Sequence, residues 1–366
     1  MDNSSEIISI TEADLAKMAL PVEFDTSRVK NKILDVQYGT LPEQKLDIYL
    51  PDEAQKPLPV IFYVHGGGWY LGTKRLGALD CIIGAIKHGY AVISVDYRLA
   101  PGVCFPEFVY DVKTAVRWAR AHADEYGFDP KCFAMVGDSA GGHITLMLGF
   151  TAGMPQYEGA EYGWGDYSSE LQAICDMYGP AVLYGDEDEW YRTTGVRRMV
   201  APAEDGRSMY EMAFGTKNKS LLRLISPITL VHKDIPPTMI QHGMEDSVVH
   251  FMHSTLLAER IAEVCGPDRV LLRMYPGRNH SDKGFMTDEN CREVLEFFDR
   301  HPASFSGLLF QSLCRTGKIP PHPAPPNSIK VWPAYFFHFR IHLQFQVSVP
   351  ASPERKHDRP HKIFLF

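Results

Sequence analysis

Between about residues 30 and 300, short apolar runs alternate with longer stretches in which apolar residues recur every three or four positions. Lys32 to Tyr38 and Gln44 to Leu50 flank a break holding Gly39 and Pro42, which predicts a leading hairpin. Pro59 to Val64 and Ala91 to Val95 are strand-sized apolar runs, separated by a helix-length segment from about Ala78 to His88. Phe108, Val112, Ala115, Val116 and Ala119 give the stretch Glu107 to Tyr126 a helical period. Lys131 to Val136 reads as strand, Ala140 to Phe150 as helix and Ala173 to Met177 as strand. The same rhythm resumes with strand Pro237 to Gln241, helix Met252 to Val264, strand Val270 to Tyr275 and helix Asp288 to Phe298. Fully apolar strands interleaved with amphipathic helices predict an α/β fold, a mostly parallel central sheet with helices on both faces. No internal repeat is visible.

Two segments break the rhythm and read as small cap-like insertions above the sheet. Residues 151–170 are rich in glycine and aromatics, which could stack a sugar or aryl ring or simply pack the loop down. Residues 181–225 mix charges with Trp190, Tyr191, Met199 and Tyr210. A sharper break comes near Pro302. Residues 302–366 carry 8 Lys and Arg against 2 acids, 10 of the 26 prolines and only 2 of the 29 glycines. The expected organisation is a catalytic domain over 1–301 and a proline-rich basic tail over 302–366. From Phe337 to Val349 the tail alternates apolar and polar residues, the pattern of a strand with one buried face.

The 366 residues are 45% hydrophobic and 22% charged, enough apolar material for a large core. The net charge of −8 lacks the basic footprint of a nucleic-acid binder. The longest apolar runs fall far short of the roughly 18 to 20 residues that span a bilayer. Met1 to Leu20 has neither a basic start nor a continuous apolar stretch, so no secretory signal is read and a cytoplasmic location is expected. Seven widely spaced cysteines without a Cys-x-x-Cys pair point to reduced, mostly buried thiols.

The chemistry is carried by Gly137-Asp138-Ser139-Ala140-Gly141-Gly142, a G-x-S-x-G pattern between a predicted strand and a predicted helix. Gly and Ser are common in loops, so the bare pattern is weak. Its setting is not: a tight strand-to-helix turn lifts a serine hydroxyl above the sheet edge. Upstream, His65-Gly66-Gly67-Gly68-Trp69 directly follows the strand ending at Val64, and such glycines can aim backbone N–H groups at one oxyanion. With no Gly-Lys-Ser/Thr pair, a phosphate loop is not indicated. A serine nucleophile needs a base and an orienting acid, here expected in the chain order Ser, acid, His. Glu245 and Asp246 follow one late strand and His280 the next; His242, His250 and His253 are rival bases, and His143, one turn past the serine, reads as a packing residue. No cluster has zinc spacing, so no metal and no cofactor are implied.

These motifs, together with Asp96-Tyr97-Arg98-Leu99-Ala100-Pro101, resemble the α/β-hydrolase fold and within it the hormone-sensitive-lipase-like esterases. Gly102 stands where that family usually has Glu. Phe105-Pro106, Gly142-His143 and Ser226-Pro227-Ile228 are similar to the branch holding bacterial acetyl-xylan and feruloyl esterases. The resemblance implies Asp246 rather than Glu245 as the acid, oxyanion donors on the amides of Gly67, Gly68 and Ala140, and Trp69 and His65 beside the substrate. It implies a serine carboxylesterase acting on small-molecule esters, which could form a homo-oligomer; the polar and aromatic insertions, without the long apolar helix of a lipid-opened lid, point to short acyl chains. Kynurenine formamidases share the His-Gly-Gly-x-Trp pattern and give an aryl formamidase as the alternative; a homologue that only binds ligand is the second.

Overall fold

The computed structural model describes residues 23–301 apart from 54, 199–209, 211, 212 and 217. The proline-rich tail, with the alternating stretch 337–349, lies outside the described residues. Eight strands form one sheet in the order β1-β2-β4-β3-β5-β6-β7-β8. They are β1 (Lys32–Gln37), β2 (Lys45–Tyr49), β3 (Leu58–Val64), β4 (Ala91–Val95), β5 (Phe128–Asp138), β6 (Ala173–Met177), β7 (Thr238–Gly243) and β8 (Val270–Tyr275). The leading hairpin joins antiparallel through β2 to β4, and every pairing from β4 to β8 is parallel.

The six principal helices are α1 (Glu107–Ala121), α2 (Ala140–Phe150), α3 (Glu187–Thr194), α4 (Lys219–Leu224), α5 (Met252–Cys265) and α6 (Asp288–Arg300). Successive strand residues point to opposite faces, so each strand feeds two cores. Val60, Phe62 and Val64 lie in one core with Phe108 of α1, Ile144 of α2 and Leu257 of α5, while Ile61 and Tyr63 lie in the other with Val294 and Phe298 of α6. All seven residues of β3 are buried, which is why its sequence shows no polar alternation. Among the described residues no helix is long and apolar enough to cross a membrane.

Three expectations change. The stretch 78–88 is not one helix but two 3-10 segments, Gly77–Cys81 and Ile83–His88, because Ile82 leaves the helical region at φ −135°. The helix from Glu107 stops at Ala121, with a separate turn over Ala123–Tyr126. Residues 151–170 do not rise above the sheet. They run from the end of α2 to the start of β6, at the strand ends remote from Ser139, and lie along α1. Buried Lys113 and Arg117 fasten Glu158 at 2.7 and 3.3 Å, and Trp164 Nε1 donates to the Tyr38 carbonyl at 2.9 Å. Tyr157 on Phe105 and Tyr162 on Tyr110 pack the loop onto the start of α1, while Tyr167 stays exposed. Segment 181–225, by contrast, leaves from the end of β6 on the Ser139 side. Its Phe214 packs against Trp69 and His143, each at 5.2 Å between ring centroids.

Candidate active site

Ser139 sits between the end of β5 and the start of α2 with φ 52° and ψ −117°, a strained conformation for a residue with a side chain. Its neighbours must be small for the turn to close. A Cβ on Gly137 would lie 2.2 Å from the Gly141 carbonyl oxygen, and one on Gly141 only 2.0 Å from that of Val64. The Ser139 N–H donates to the Met177 carbonyl at 2.8 Å, and its own carbonyl accepts from the His143 N–H at 3.1 Å.

His280, on the loop after β8, brings Nε2 within 3.0 Å of Ser139 Oγ and Nδ1 within 2.7 Å of Asp246 Oδ2. Asp246, on the loop after β7, is wholly buried, and its Oδ1 accepts from the N–H groups of Val248 and Val249 at 2.9 and 2.8 Å. Burial alone would raise its pKa, but the facing His280 and hydrogen bonds from His242 and His280 outweigh this and hold the carboxyl well below its ordinary value. With Asp246 ionised, Nδ1 of His280 carries the proton, leaving the Nε2 lone pair toward the serine hydroxyl.

The rival residues have other partners. Glu245 is exposed, and its N–H donates to the Arg278 carbonyl at 3.0 Å. His242 lies behind the acid, with Nε2 donating to the Val249 carbonyl at 2.9 Å and standing 3.3 Å from Asp246 Oδ2. His250 and His253 tie down segment 181–225: His250 meets Thr194 Oγ1 at 2.8 Å and His253 meets Glu187 at 2.6 Å. His143 packs between Trp69 and Phe214, and burial lowers its pKa to about 3.

The glycine loop abuts the serine. A Cβ on Gly66 would lie 2.6 Å from Asp138 Oδ2 and 3.1 Å from the Ser139 Cβ. Gly67 and Gly68 take positive φ of 105° and 61°, open to glycine at no steric cost. Asp138, given no role by the sequence reading, locks this arrangement: its Oδ1 accepts from the Gly66 N–H at 3.0 Å and from Tyr63 Oη at 2.8 Å. Tyr178, also unmarked by any motif, sets its ring edge-on to the His280 imidazole at 4.8 Å. Trp69 and His65 correct an expectation. Each is only 1% exposed; Trp69 packs among His143, Tyr210 and Phe214, and His65 stacks on Tyr97 at 4.3 Å. Neither ring reaches the surface, and both brace the loop from inside.

Comparison with known proteins shows what the chain is similar to. Esterase LipC of Mycobacterium tuberculosis is 34% identical over 247 residues, 67% of this chain and 58% of LipC. The chain spans between 52% and 58% of the length of the first curated relatives it matches. A truncated carbohydrate esterase from gut microbiota superposes with a TM-score of 0.66 at 26% identity, over 76% of this chain and 99% of that one. Esterase 2 of Thermogutta terrifontis, phosphonylated by sarin, superposes with a TM-score of 0.56 at 26% identity, over 71% of this chain and 90% of that one. The mostly parallel sheet is that of an α/β-hydrolase. The BD-FAE family model matches residues 46–261, well over half of the chain, and the chain therefore belongs to the BD-FAE family.

Proposed function

We propose that the protein is a serine carboxylic ester hydrolase acting on short-chain acyl esters, with acetyl or feruloyl esters of carbohydrates as the substrate class. The observation that carries the reading is the unbroken hydrogen-bonded line Ser139, His280, Asp246. His280 Nε2 takes the hydroxyl proton as Ser139 Oγ attacks the ester carbonyl carbon. Asp246 stabilises the imidazolium that forms. The carbonyl oxygen becomes an oxyanion, which the amides of Gly67, Gly68 and Ala140 would receive. As the C–O bond to the alcohol breaks, His280 returns the proton to the leaving oxygen, and an acyl ester on Ser139 remains. Water, deprotonated by the same His280, then attacks the acyl carbon; the bond to Ser139 Oγ breaks as His280 returns the proton to that oxygen, and the acid is released.

The carbohydrate alcohol is supported by likeness to the gut carbohydrate esterase, and the short acyl chain by the character of segment 181–225. Its sequence mixes charges with Trp190, Tyr191 and Tyr210, and its described helices are 8 and 6 residues long. The test is turnover of 4-nitrophenyl acetate, butyrate and octanoate, acetylated xylan, methyl ferulate and N-formylkynurenine, with Ser139→Ala as control. Fastest hydrolysis of acetyl or feruloyl esters is expected. A fluorophosphonate should add one adduct mass to the wild type and none to Ser139→Ala. Fastest turnover of the formamide would replace the reading, and no turnover with no adduct would end it.

A further inference from the structure

The loops that carry Asp246 and His280 are joined by more than the contact between those two residues. Asn279, the residue before His280, points its side-chain oxygen Oδ1 at the acid loop. That oxygen accepts from the Ser247 N–H at 2.9 Å, from the Ser247 hydroxyl at 2.9 Å and from the His280 N–H at 2.6 Å. Ser247 directly follows Asp246 and is 4% exposed. With the Glu245 N–H on the Arg278 carbonyl at 3.0 Å and Asp246 on His280 at 2.7 Å, the two loops share three adjacent rungs, 245 to 278, 246 to 280 and 247 to 279. Only the last is made by a side chain outside the candidate triad.

Loops drift unless tied, and a base must be held to within about 0.5 Å of its working geometry. Resting on the esterase reading, we propose that Asn279 is a positioning residue: its carbonyl oxygen clamps the His280 backbone to the acid loop and so sets the distance from Nε2 to Ser139. All three contacts fall on the oxygen and all three partners are donors, which fixes the amide orientation. An aspartate would preserve them. The charged and titratable groups facing the imidazole are Asp246, with His242 behind it, Asp138 below the elbow and Tyr178 against the ring.

The test uses the full chain and 4-nitrophenyl acetate. Asn279→Ala should lower kcat by about 10- to 100-fold with KM within about threefold of wild type, as expected when reacting groups are misplaced without loss of binding. Asn279→Asp should recover kcat to within about fivefold. It should also move the midpoint of the kcat/KM profile upward by roughly half a pH unit or more, because a carboxylate beside His280 favours the imidazolium. Wild-type kcat in Asn279→Ala, or an Asn279→Asp variant as slow as Asn279→Ala with an unmoved profile, overturns the proposal. A second readout does not need turnover. The low-field NMR signal of the His280 Nδ1 proton should broaden or vanish in Asn279→Ala and return in Asn279→Asp, and its persistence in Asn279→Ala also overturns the clamp. An inactive wild type bears on the esterase reading alone, since the NMR signal still decides the clamp.

Discussion

His242 stands 3.3 Å from the same Asp246 oxygen that faces His280 at 2.7 Å, so one buried carboxylate oxygen is shared by two imidazoles. The second ring is itself held, with Nδ1 at 2.6 Å from Ser254 Oγ. Its N–H dipole stabilises the aspartate anion and draws charge away from the base. His242→Phe is therefore expected to raise the apparent pKa in the kcat/KM profile by a few tenths of a unit and to lower kcat about tenfold. His242→Gln, which can still donate, should fall between. A profile unchanged in both variants would show that His242 only fills space.

Ser139→Ala and His280→Ala are each expected to lower kcat by about 10⁴- to 10⁶-fold, and Asp246→Asn somewhat less, with the fold intact by circular dichroism. If the three side chains act as one unit, as proposed, the losses should not add. A double variant far slower than either single would argue that they work independently.

Asp176, on β6 beside the nucleophile strand, is wholly buried; burial raises its pKa to about 7, offset only in part by the Gly179 N–H at 2.9 Å. Because the folded pKa lies above the unfolded one, its contribution to stability is full below about pH 4 and is lost as the pH rises through 7. Urea unfolding at pH 5 and pH 8 should show this loss, and Asp176→Asn should reduce the difference between the two. An unchanged difference would place the pH dependence elsewhere.

His143 has the opposite sign. Its folded pKa of about 3 lies below the unfolded value near 6.5, so the stability it contributes above pH 6.5 is lost as the pH falls toward 3. His143→Phe should flatten the acid limb of a stability profile measured between pH 4 and pH 7. A limb as steep as that of wild type would exclude His143 as its source.

Gly141→Ala should destabilise the protein by about 1–3 kcal/mol or more, because the added methyl would meet the Val64 carbonyl oxygen at 2.0 Å and backbone cannot yield as a side-chain tip can. Gly153→Ala is a control of a different kind, open in space but at φ 74°, so only its backbone conformation is penalised. Equal losses in chemical denaturation would mean that crowding at the elbow is not the cause.

The alternation of apolar runs with amphipathic helices determined the sheet, and the G-x-S-x-G turn, the glycine loop and the order Ser, Asp, His were legible because each depends on residue type over a few neighbouring positions. What lies between distant positions was not. Nothing near Asn279 in the chain announces a contact with Ser247, 32 residues away, and nothing in the aromatics of 151–170 reveals that their loop departs from the far end of α2. His242 and Asp246 are four residues apart, yet the sequence offered His242 only as a rival base, because its distance to the acid depends on how the loop after β7 folds back. Likewise a tryptophan beside three glycines reads as a ligand-facing ring until packing against Tyr210 and Phe214 is seen to bury it. Local pattern sets which groups are present and in what order along the sheet edge. Tertiary packing alone decided which of them face the serine, since burial and hydrogen-bond distance are properties of chain segments brought together from opposite ends of the domain.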